Sequence, residues 1–225
     1  MPELSLRSVN DLYEMGLDEI AGSAAPAEYH AVGDDGTRRR VPFERWLRWA
    51  ADEESELLEQ AVGPVLDVGC GVGRHLLALG QRGIEAVGVE LSARAVAIAR
   101  GRGATVVEGS IFDAPGQGGW RTALLLDGNI GIGGDPERLL RRVAELLAPD
   151  GRVLVEIEPP RAQTRMLRLR LESPHEVSDW IPWAWVGADS IGPIALTAGL
   201  ALDDLWTAEG RWFARLALGA APCPR

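Results

Sequence analysis

The sequence has 225 residues, of which 46% are hydrophobic, and a formal net charge of −10. This size and composition predict one globular domain with a substantial core, and the acidic charge disfavours a nucleic-acid surface, because phosphate contacts dominate such binding. All 23 basic residues are arginines, which excludes lysine chemistry. The two cysteines give no disulfide framework, and the three histidines give no metal-binding pattern. No membrane span is predicted, because the sequence has no apolar run of about 18 residues.

Residues 1–60 are predicted to form a helical cover outside the main fold. We expect a short helix, a turn at "GDDGT" and a second helix through "FERWLRWAADEESELLEQA". Trp46 and Trp49 lie three residues apart on that second helix, so packing explains them better than ligand binding. The first residues do not have the basic start and apolar run of a secretion signal.

From residue 61, short apolar runs alternate with helical segments. The first four predicted strands are "PVLDVG", "IEAVGVE", "ATVVEGS" and "TALLLDG", and "RVLVEIE" is the fifth. Between them, "SARAVAIARGRG" is a helix capped by Ser92, and "DPERLLRRVAELLAPDG" begins with a cap-plus-proline signature. Nearly all-apolar strands that alternate with helices indicate a parallel sheet covered on both faces.

The last third of the chain adds an insertion and a hairpin. Residues 161–187 are predicted as a second cover over the ligand cleft, and "GADSIGPIALTAGL" as a helix. "ALDDLW" and "RWFARLAL" flank a short "TAEG" turn, which predicts a terminal hairpin. The predicted fold is therefore α/β and doubly wound. Its core, residues 61–225, has a mostly parallel seven-stranded sheet with a C-terminal antiparallel hairpin.

The stretch "VLDVGCGVGRH", residues 65–75, is the strongest ligand signal. Its glycines follow the spacing G-x-G-x-G, whereas a dinucleotide fold has G-x-G-x-x-G. Glu90 stands at the end of the next strand, nineteen residues after Gly71, where an acid accepts both ribose hydroxyls. Because ligands of such sheets bind at the carboxyl ends of the strands, this loop predicts a nucleoside site.

Taken together, these stretches resemble the class I S-adenosylmethionine-dependent methyltransferases. "LDVGCGVGRH" is similar to the first motif of that family, "GVELSARAVAIAR" to the second and "VVEGSIFD" to the third. "ALLLDGNIGI" and "LLAPDGRVLVEIE" resemble the fourth and fifth strand motifs. The resemblance covers about residues 60–218 and implies the class I methyltransferase-like Rossmann fold, with S-adenosylmethionine as cofactor.

The resemblance also implies roles for single residues. Gly69 and Gly71 let the methionine part of the cofactor lie against the backbone, and Asp67 orients the loop and its water or the cofactor's amino group. Arg74 pairs with the cofactor carboxylate, and Glu90 holds the ribose. The other implied cofactor contacts are Leu91 on the adenine, Ser110 and Ile111 at the adenine edge, and Asp127. Many relatives carry an aspartate at the position of Ser110, and Asp113 is the expected substitute for it.

The stretch "DGNIGIGGD" follows the fourth strand, beside the glycine loop. We hypothesise that Asp127 and Asn129 line the transfer point, and that Tyr29 and His30 reach it from the N-terminal cover. An amide accepts from an amine or orients a carboxylate. The alternative is that Asn129 serves only a tight turn, and the two interpretations stay open.

The sequence thus predicts a cytoplasmic methyltransferase that acts on a nitrogen or oxygen nucleophile of a small molecule, without a metal, nucleic acid or membrane. Because the methyl group of a sulfonium is already activated, positioning dominates the chemistry. Trp180, Trp183 and Trp185 are either a wall of the site or packing of the cover. The alternatives are an S-adenosylmethionine-using lyase or cyclase, a non-catalytic cofactor-binding protein and, less favoured, an NAD-dependent dehydrogenase.

Overall fold

A computed structural model describes residues 5–22, 27–48, 54–114 and 118–219. In chain order its elements are β1 (Ser5–Arg7), α1 (Val9–Gly22), β2 (His30–Gly33), β3 (Arg38–Arg40), α2 (Phe43–Leu47), α3 (Ser55–Glu59), β4 (Val65–Val68), α4 (Arg74–Gln81), β5 (Ala86–Glu90), α5 (Ala93–Gly101), β6 (Val106–Glu108), β7 (Trp120–Leu125), a 3-10 helix (Asn129–Gly134), α6 (Pro136–Leu146), β8 (Leu147–Ile157), β9 (Arg165–Glu172), β10 (Glu176–Ser178), β11 (Ile181–Trp185), α7 (Ala188–Thr197), β12 (Leu200–Ala208) and β13 (Arg211–Leu218). None of the helices in these ranges is both long and apolar enough for a membrane span. Cys223 lies outside the described residues.

The central sheet has seven strands in the order β12-β13-β8-β7-β4-β5-β6. The five strands from β4 to β8 pair in parallel, and the β12–β13 hairpin joins β8 in antiparallel fashion. This confirms the predicted doubly wound, mostly parallel sheet with its terminal hairpin. Since β4 pairs with β5 on one side and with β7 on the other, the strand order reverses at β4, and the glycine loop that follows it lies at the switch point.

Helices cover both faces of this sheet because its strands are apolar on both sides. On one face, Leu57 of α3 and Leu79 of α4 pack with Val65 and Leu124. On the opposite face, α6 and α7 pack against the alternate residues of the same strands. The period of two along β4 and β7 thus supplies two separate cores, as expected for a sheet buried on both sides.

The predicted helix starts are confirmed. The side chain of Ser92 accepts a hydrogen bond from the backbone N–H of Ala95 at 3.0 Å and caps α5. Asp135 does the same for Arg138 at 3.0 Å, with Pro136 in the first turn of α6.

A second sheet, here named the cover sheet, lies outside the central one. It combines β1, β2 and β3 of the N-terminal segment with β9, β10 and β11 of the insertion, in the order β1-β10-β9-β2-β3 with β11 also on β9. The expectation of a helical N-terminal cover is therefore corrected. Its short strands are held by strand pairing, β1 with β10, β2 with β9 and β3 with β2, and the pairings with the insertion are contacts that local sequence does not encode. The long helix expected from residue 43 is present as α2 and α3, and residues 49–53 between them are outside the described ranges.

The cover sheet packs onto the central domain through one apolar cluster. Leu12 and Leu17 of α1 and Phe43 of α2 meet the inner face of the cover sheet, and Val72 of the glycine loop and Ala95 of α5 belong to the same cluster. The cover is therefore seated directly above the loop between β4 and α4.

Candidate active site

A cavity of about 650 Å³ lies between the carboxyl edge of the central sheet and the inner face of the cover. Such a volume is ordinary for a small-molecule site. Nine residues expected at the site line it: Gly69, Gly71, Arg74, Glu90, Leu91, Ser110, Ile111, Asp127 and Asn129.

The glycine loop brings main chain, without side chains, close to other groups. Gly69 and Gly71 have φ of +70° and +52°, in the left-handed region that glycine tolerates best. A Cβ on Gly69 would lie 2.7 Å from Nδ2 of Asn129, and a Cβ on Gly71 would lie 3.3 Å from the hydroxyl of Tyr13. The two glycines are thus required by the backbone conformation and by the close packing around the loop.

The carboxylate of Glu90 lies beside this loop. It accepts hydrogen bonds from the backbone N–H groups of Gly71 and Ser92, each at 2.9 Å. Burial raises the pKa of Glu90 above its ordinary value. Because a carboxylate has about four acceptor positions, two amides fix its place and leave capacity for hydroxyl donors from a ligand.

The next part of the cavity wall is apolar and fixed by turns. Leu91 follows Glu90 with 59% of its surface exposed. Ser110 accepts from the backbone N–H of Phe112 at 3.2 Å, and Arg142 donates to the carbonyl of Ile111 at 3.2 Å, which fixes this loop. Asp113, the expected substitute for Ser110, is exposed and is not part of the cavity wall.

Arg74 is buried and occupied by protein carboxylates. Its guanidinium donates to Glu54 and, at 2.7 Å, to Oδ2 of Asp127. The expected partner was the carboxylate of the cofactor. The structure places Arg74 at the cavity but gives its charge two internal partners, Glu54 and Asp127.

Glu54 is the centre of a network that we name the buried ion network. Besides Arg74, it accepts from Arg45 of α2 at 2.9 Å and from Arg211 of β13 at 2.8 Å. Arg211 also donates to Asp127 at 3.1 Å. Burial opposes ionisation of Asp127, but Arg74 and other nearby cations hold its pKa below the ordinary value. Asp127, at the unusual φ of +56°, is thus an ionised, paired carboxylate.

Asp67 is buried under the loop and does not itself line the cavity. Its Oδ2 lies 3.6 Å from Nδ1 of His75, whose Nε2 lies 3.2 Å from Oε2 of Glu54. His75 is thus a bridge between two buried acids.

The sequence matches the profile of the methyltransferase domain over residues 38–205, which is most of the chain. The protein belongs to this family. The membership confirms the predicted enzyme class, an S-adenosylmethionine-dependent methyltransferase. No sequence among the curated proteins matches the chain.

Solved structures with the same fold include several methyltransferases. This methyltransferase is similar to an S-adenosylmethionine-dependent methyltransferase from Bacteroides fragilis that was crystallised in complex with S-adenosylhomocysteine. The TM-score is 0.78 and the sequence identity 21%, and the match covers 96% of this chain and 98% of the other chain. The sugar N-methyltransferase KedS8 from a Streptoalloteichus species has a TM-score of 0.58 at 18% sequence identity, and the match covers 78% of this chain and 90% of that one. The 1,6-didemethyltoxoflavin-N1-methyltransferase from Burkholderia thailandensis has a TM-score of 0.53 at 17% sequence identity, and the match covers 69% of this chain and 71% of that one. These likenesses confirm the class I methyltransferase fold.

In this methyltransferase, Asn129 has a structural task. Its amide Nδ2 donates to the carbonyls of Val68 and Gly69, at 2.8 and 2.9 Å, and so ties the 3-10 helix after β7 to the end of β4. Both N–H groups are consumed by the loop. Only the carbonyl oxygen of the amide is left for a ligand.

Tyr29 and His30, expected at the transfer point, do not line the cavity. Tyr29 is buried in the cluster beneath the cover, where its hydroxyl donates to Glu19 at 2.8 Å. His30 pairs in the cover sheet between Arg40 and Glu172. Since side chains alternate along a strand and Ala31 faces the cavity, His30 points to the opposite face.

Tyr13 is one of the cavity residues that sequence reasoning missed. It lies on α1, and its hydroxyl stands over Gly71. Burial, and then the charge of Glu90, raise the pKa of Tyr13 well above its ordinary value, so the phenol stays protonated. Its spacing of four residues from Leu17 on one helix face was the available signal, but that spacing by itself indicates packing.

The far wall of the cavity is aromatic. Trp183 and Trp185 line it, whereas Trp180 lies on the outer face under the guanidiniums of Arg168 and Arg170. The two alternatives for the tryptophans therefore both apply, to different members of the group.

One ion pair completes this wall. Arg39 donates to both carboxylate oxygens of Glu158, at 2.5 and 3.2 Å, and its guanidinium lies 4.0 Å from the ring centre of Trp185. The charge at this wall is therefore compensated within the protein.

Proposed function

We propose that this methyltransferase transfers the methyl group of S-adenosylmethionine to a nitrogen or oxygen nucleophile of a small molecule. The observation that carries the proposal is the cavity of about 650 Å³ beneath the cover, with the glycine loop and Glu90 at one end and the aromatic wall at the other. The cover sheet together with α1 and α2 leaves room for small ligands. The net charge of −10 disfavours nucleic acid as the substrate. A cytoplasmic location stays a prediction.

The residues at the loop end fit the cofactor. Gly69 and Gly71 keep side chains away from the main chain where a ligand would lie. Glu90 is fixed by two amides and retains acceptor capacity for ribose hydroxyls. The exposed side chain of Leu91 offers an apolar surface for a purine, with Ser110 beyond it.

When bound, S-adenosylmethionine supplies a methyl group on a positively charged sulfur, activated for in-line attack. The protein then has to position the two partners and exclude water. We assign the exclusion of water to the cover. We assign to the neutral hydroxyl of Tyr13, which stands over the loop, a hydrogen bond at the transfer point.

Asp127 is a poor proton acceptor in this arrangement. Its carboxylate is held by Arg74 and Arg211, and its pKa is below the ordinary value. A general base works best when its pKa lies near the working pH. We therefore assign Asp127 to positioning, and we propose no general base.

The acceptor end favours a molecule that binds mainly through apolar contacts. Leu169, Leu171, Trp183 and Trp185 form its wall, and the nearby charge of Arg39 is already balanced by its ion pair. An acceptor with an aromatic or aliphatic body and one nucleophilic nitrogen or oxygen suits this surface.

The test is product analysis with a matched pair of variants. The purified protein is incubated with S-adenosylmethionine and fractions of small amines, phenols and hydroxy compounds, and the products are followed by mass spectrometry. We expect S-adenosylhomocysteine together with a product one CH₂ heavier. Glu90→Gln should suppress both, and Glu108→Gln, an exposed acid at the end of the neighbouring strand, should not.

Two other outcomes would overturn the proposal. Release of methylthioadenosine would indicate lyase chemistry. Tight binding of S-adenosylhomocysteine without turnover on any fraction would indicate a non-catalytic binding protein.

A further inference from the structure

The imidazole of His75 lies between two acids that come from different parts of the chain. Asp67 belongs to β4, the strand that leads into the glycine loop, and Glu54 immediately precedes α3. All three side chains are buried, with side-chain exposures of 5% or less. Within the described ranges, neither Oδ2 of Asp67 nor Nε2 of His75 has a hydrogen-bond partner, so charge is the main interaction of the imidazole with the two acids.

A charge balance shows what this arrangement requires. Together with Asp67, the buried ion network holds four carboxylates and three guanidiniums, which are Glu54, Asp67, Asp127 and Glu156 against Arg45, Arg74 and Arg211. One negative charge is left over. Among the described residues, the imidazole of His75 is the only cationic partner within 4 Å of Asp67. A buried carboxylate without a cation is costly.

We propose that His75, as an imidazolium, is a positioning residue that pairs with the buried carboxylate of Asp67 beneath the glycine loop and thereby sets the affinity for the cofactor. The inference rests on the cofactor site of the proposed function. His75 does not need to touch the cofactor. It acts through Asp67, which underlies Gly69, and through Glu54, which anchors Arg74 at the start of α4.

The electrostatic surroundings agree with a protonated imidazole. Burial alone would lower the pKa of His75, but Asp67 and Glu54 raise it to about 9, against some opposition from Arg74. Asp127, which follows β7, adds a further nearby carboxylate whose own pKa is lowered by His75. The imidazolium is therefore the form present at neutral pH and is lost as the pH rises through about 9.

The experiment is calorimetric titration with S-adenosylhomocysteine from pH 6 to pH 10. For the natural protein, we expect an affinity that is constant up to about pH 8 and falls by about tenfold by pH 10, because binding then requires uptake of a proton. His75→Gln should bind about tenfold more weakly at pH 7 and lose this pH dependence. His175→Gln, which alters an exposed histidine outside the cavity wall, should match the natural protein at every pH.

Two further measurements test the same pairing, and the first uses the natural protein alone. The ring proton of His75, followed by NMR in the natural protein, should titrate near pH 9. The double variant Asp67→Asn/His75→Gln removes one charge of each sign, and should lose less affinity than the two single losses combined.

The outcomes separate the two claims. If the natural protein binds no S-adenosylhomocysteine, the proposed function fails, and this inference falls with it. If it binds well but His75 titrates near its ordinary pKa of about 6.5, or if His75→Gln keeps the natural pH profile, the role of His75 is wrong and the proposed function stands.

Discussion

Replacing Gly69 by alanine tests the packing of the glycine loop most directly. The residue has φ of +70°, and a new Cβ would lie 2.7 Å from Nδ2 and 3.0 Å from Cγ of Asn129. The amide of Asn129 would have to move, and with it the hydrogen bonds to the carbonyls of Val68 and Gly69. Gly83 offers a matched control, because it has the same φ of +70° and nothing within 4 Å of its added Cβ.

The expected magnitudes follow from these contacts. A left-handed alanine costs about 1–2 kcal/mol relative to glycine, and this is the whole expected effect of Gly83→Ala. Gly69→Ala adds the loss of two hydrogen bonds, each worth about 1 kcal/mol, for a total of about 3–4 kcal/mol. At about 3 °C per kcal/mol for a chain of this size, the melting temperature should fall by about 10 °C for Gly69→Ala and by about 4 °C for Gly83→Ala.

Thermal unfolding followed by circular dichroism measures both variants, and titration with S-adenosylhomocysteine measures the site. Gly69→Ala should also weaken binding, since the loop is displaced, whereas Gly83→Ala should not. Equal melting temperatures for the two variants, or natural affinity in Gly69→Ala, would refute the close packing of Asn129 against the loop.

Three further predictions concern the site and its ions. Glu90→Gln should weaken S-adenosylhomocysteine binding by about 10–100-fold, the value of hydrogen bonds to a charged group, while calorimetry of Glu108→Gln gives the natural value. Tyr13→Phe should lower turnover by about tenfold with little change in cofactor affinity; equal losses in both would contradict a role at the transfer point. Because the pKa values of Glu54 and Asp127 are lowered in the folded protein, their ion pairs stabilise it above about pH 4, and this stability is lost as the pH falls. The urea midpoint of unfolding should therefore drop between pH 5 and pH 3, and a flat profile would argue against the ion pairs.

The central domain was predictable because its signals are local. Apolar runs of strand length, the cap at Ser92 and the cap-plus-proline at Asp135 each specify their element within a few residues. The glycine loop and Glu90 were found for the same reason, since a fixed spacing along the chain becomes a fixed place at the carboxyl edge of a parallel sheet.

The cover and the ion network were not predictable in this way. The strands β2 and β3 have four and three residues, and β3 is an unbroken run of arginines that reads as a solvated loop. Glu54 stands in an acidic stretch that looks exposed, yet the structure buries it among three arginines. Both features depend on pairing between distant segments, which neither periodicity nor composition reveals. The misplaced roles of Tyr29 and His30 have the same origin.

The pairing of β2 with β9 has a consequence for how the enzyme is made. During synthesis, the strands at the head of the chain leave the ribosome long before their partners in the insertion exist. The nascent protein can assemble most of its parallel strands before the strands β9, β10 and β11 of the cover sheet have been synthesised. The cavity between the central sheet and the cover sheet is therefore completed only after β9 has been synthesised.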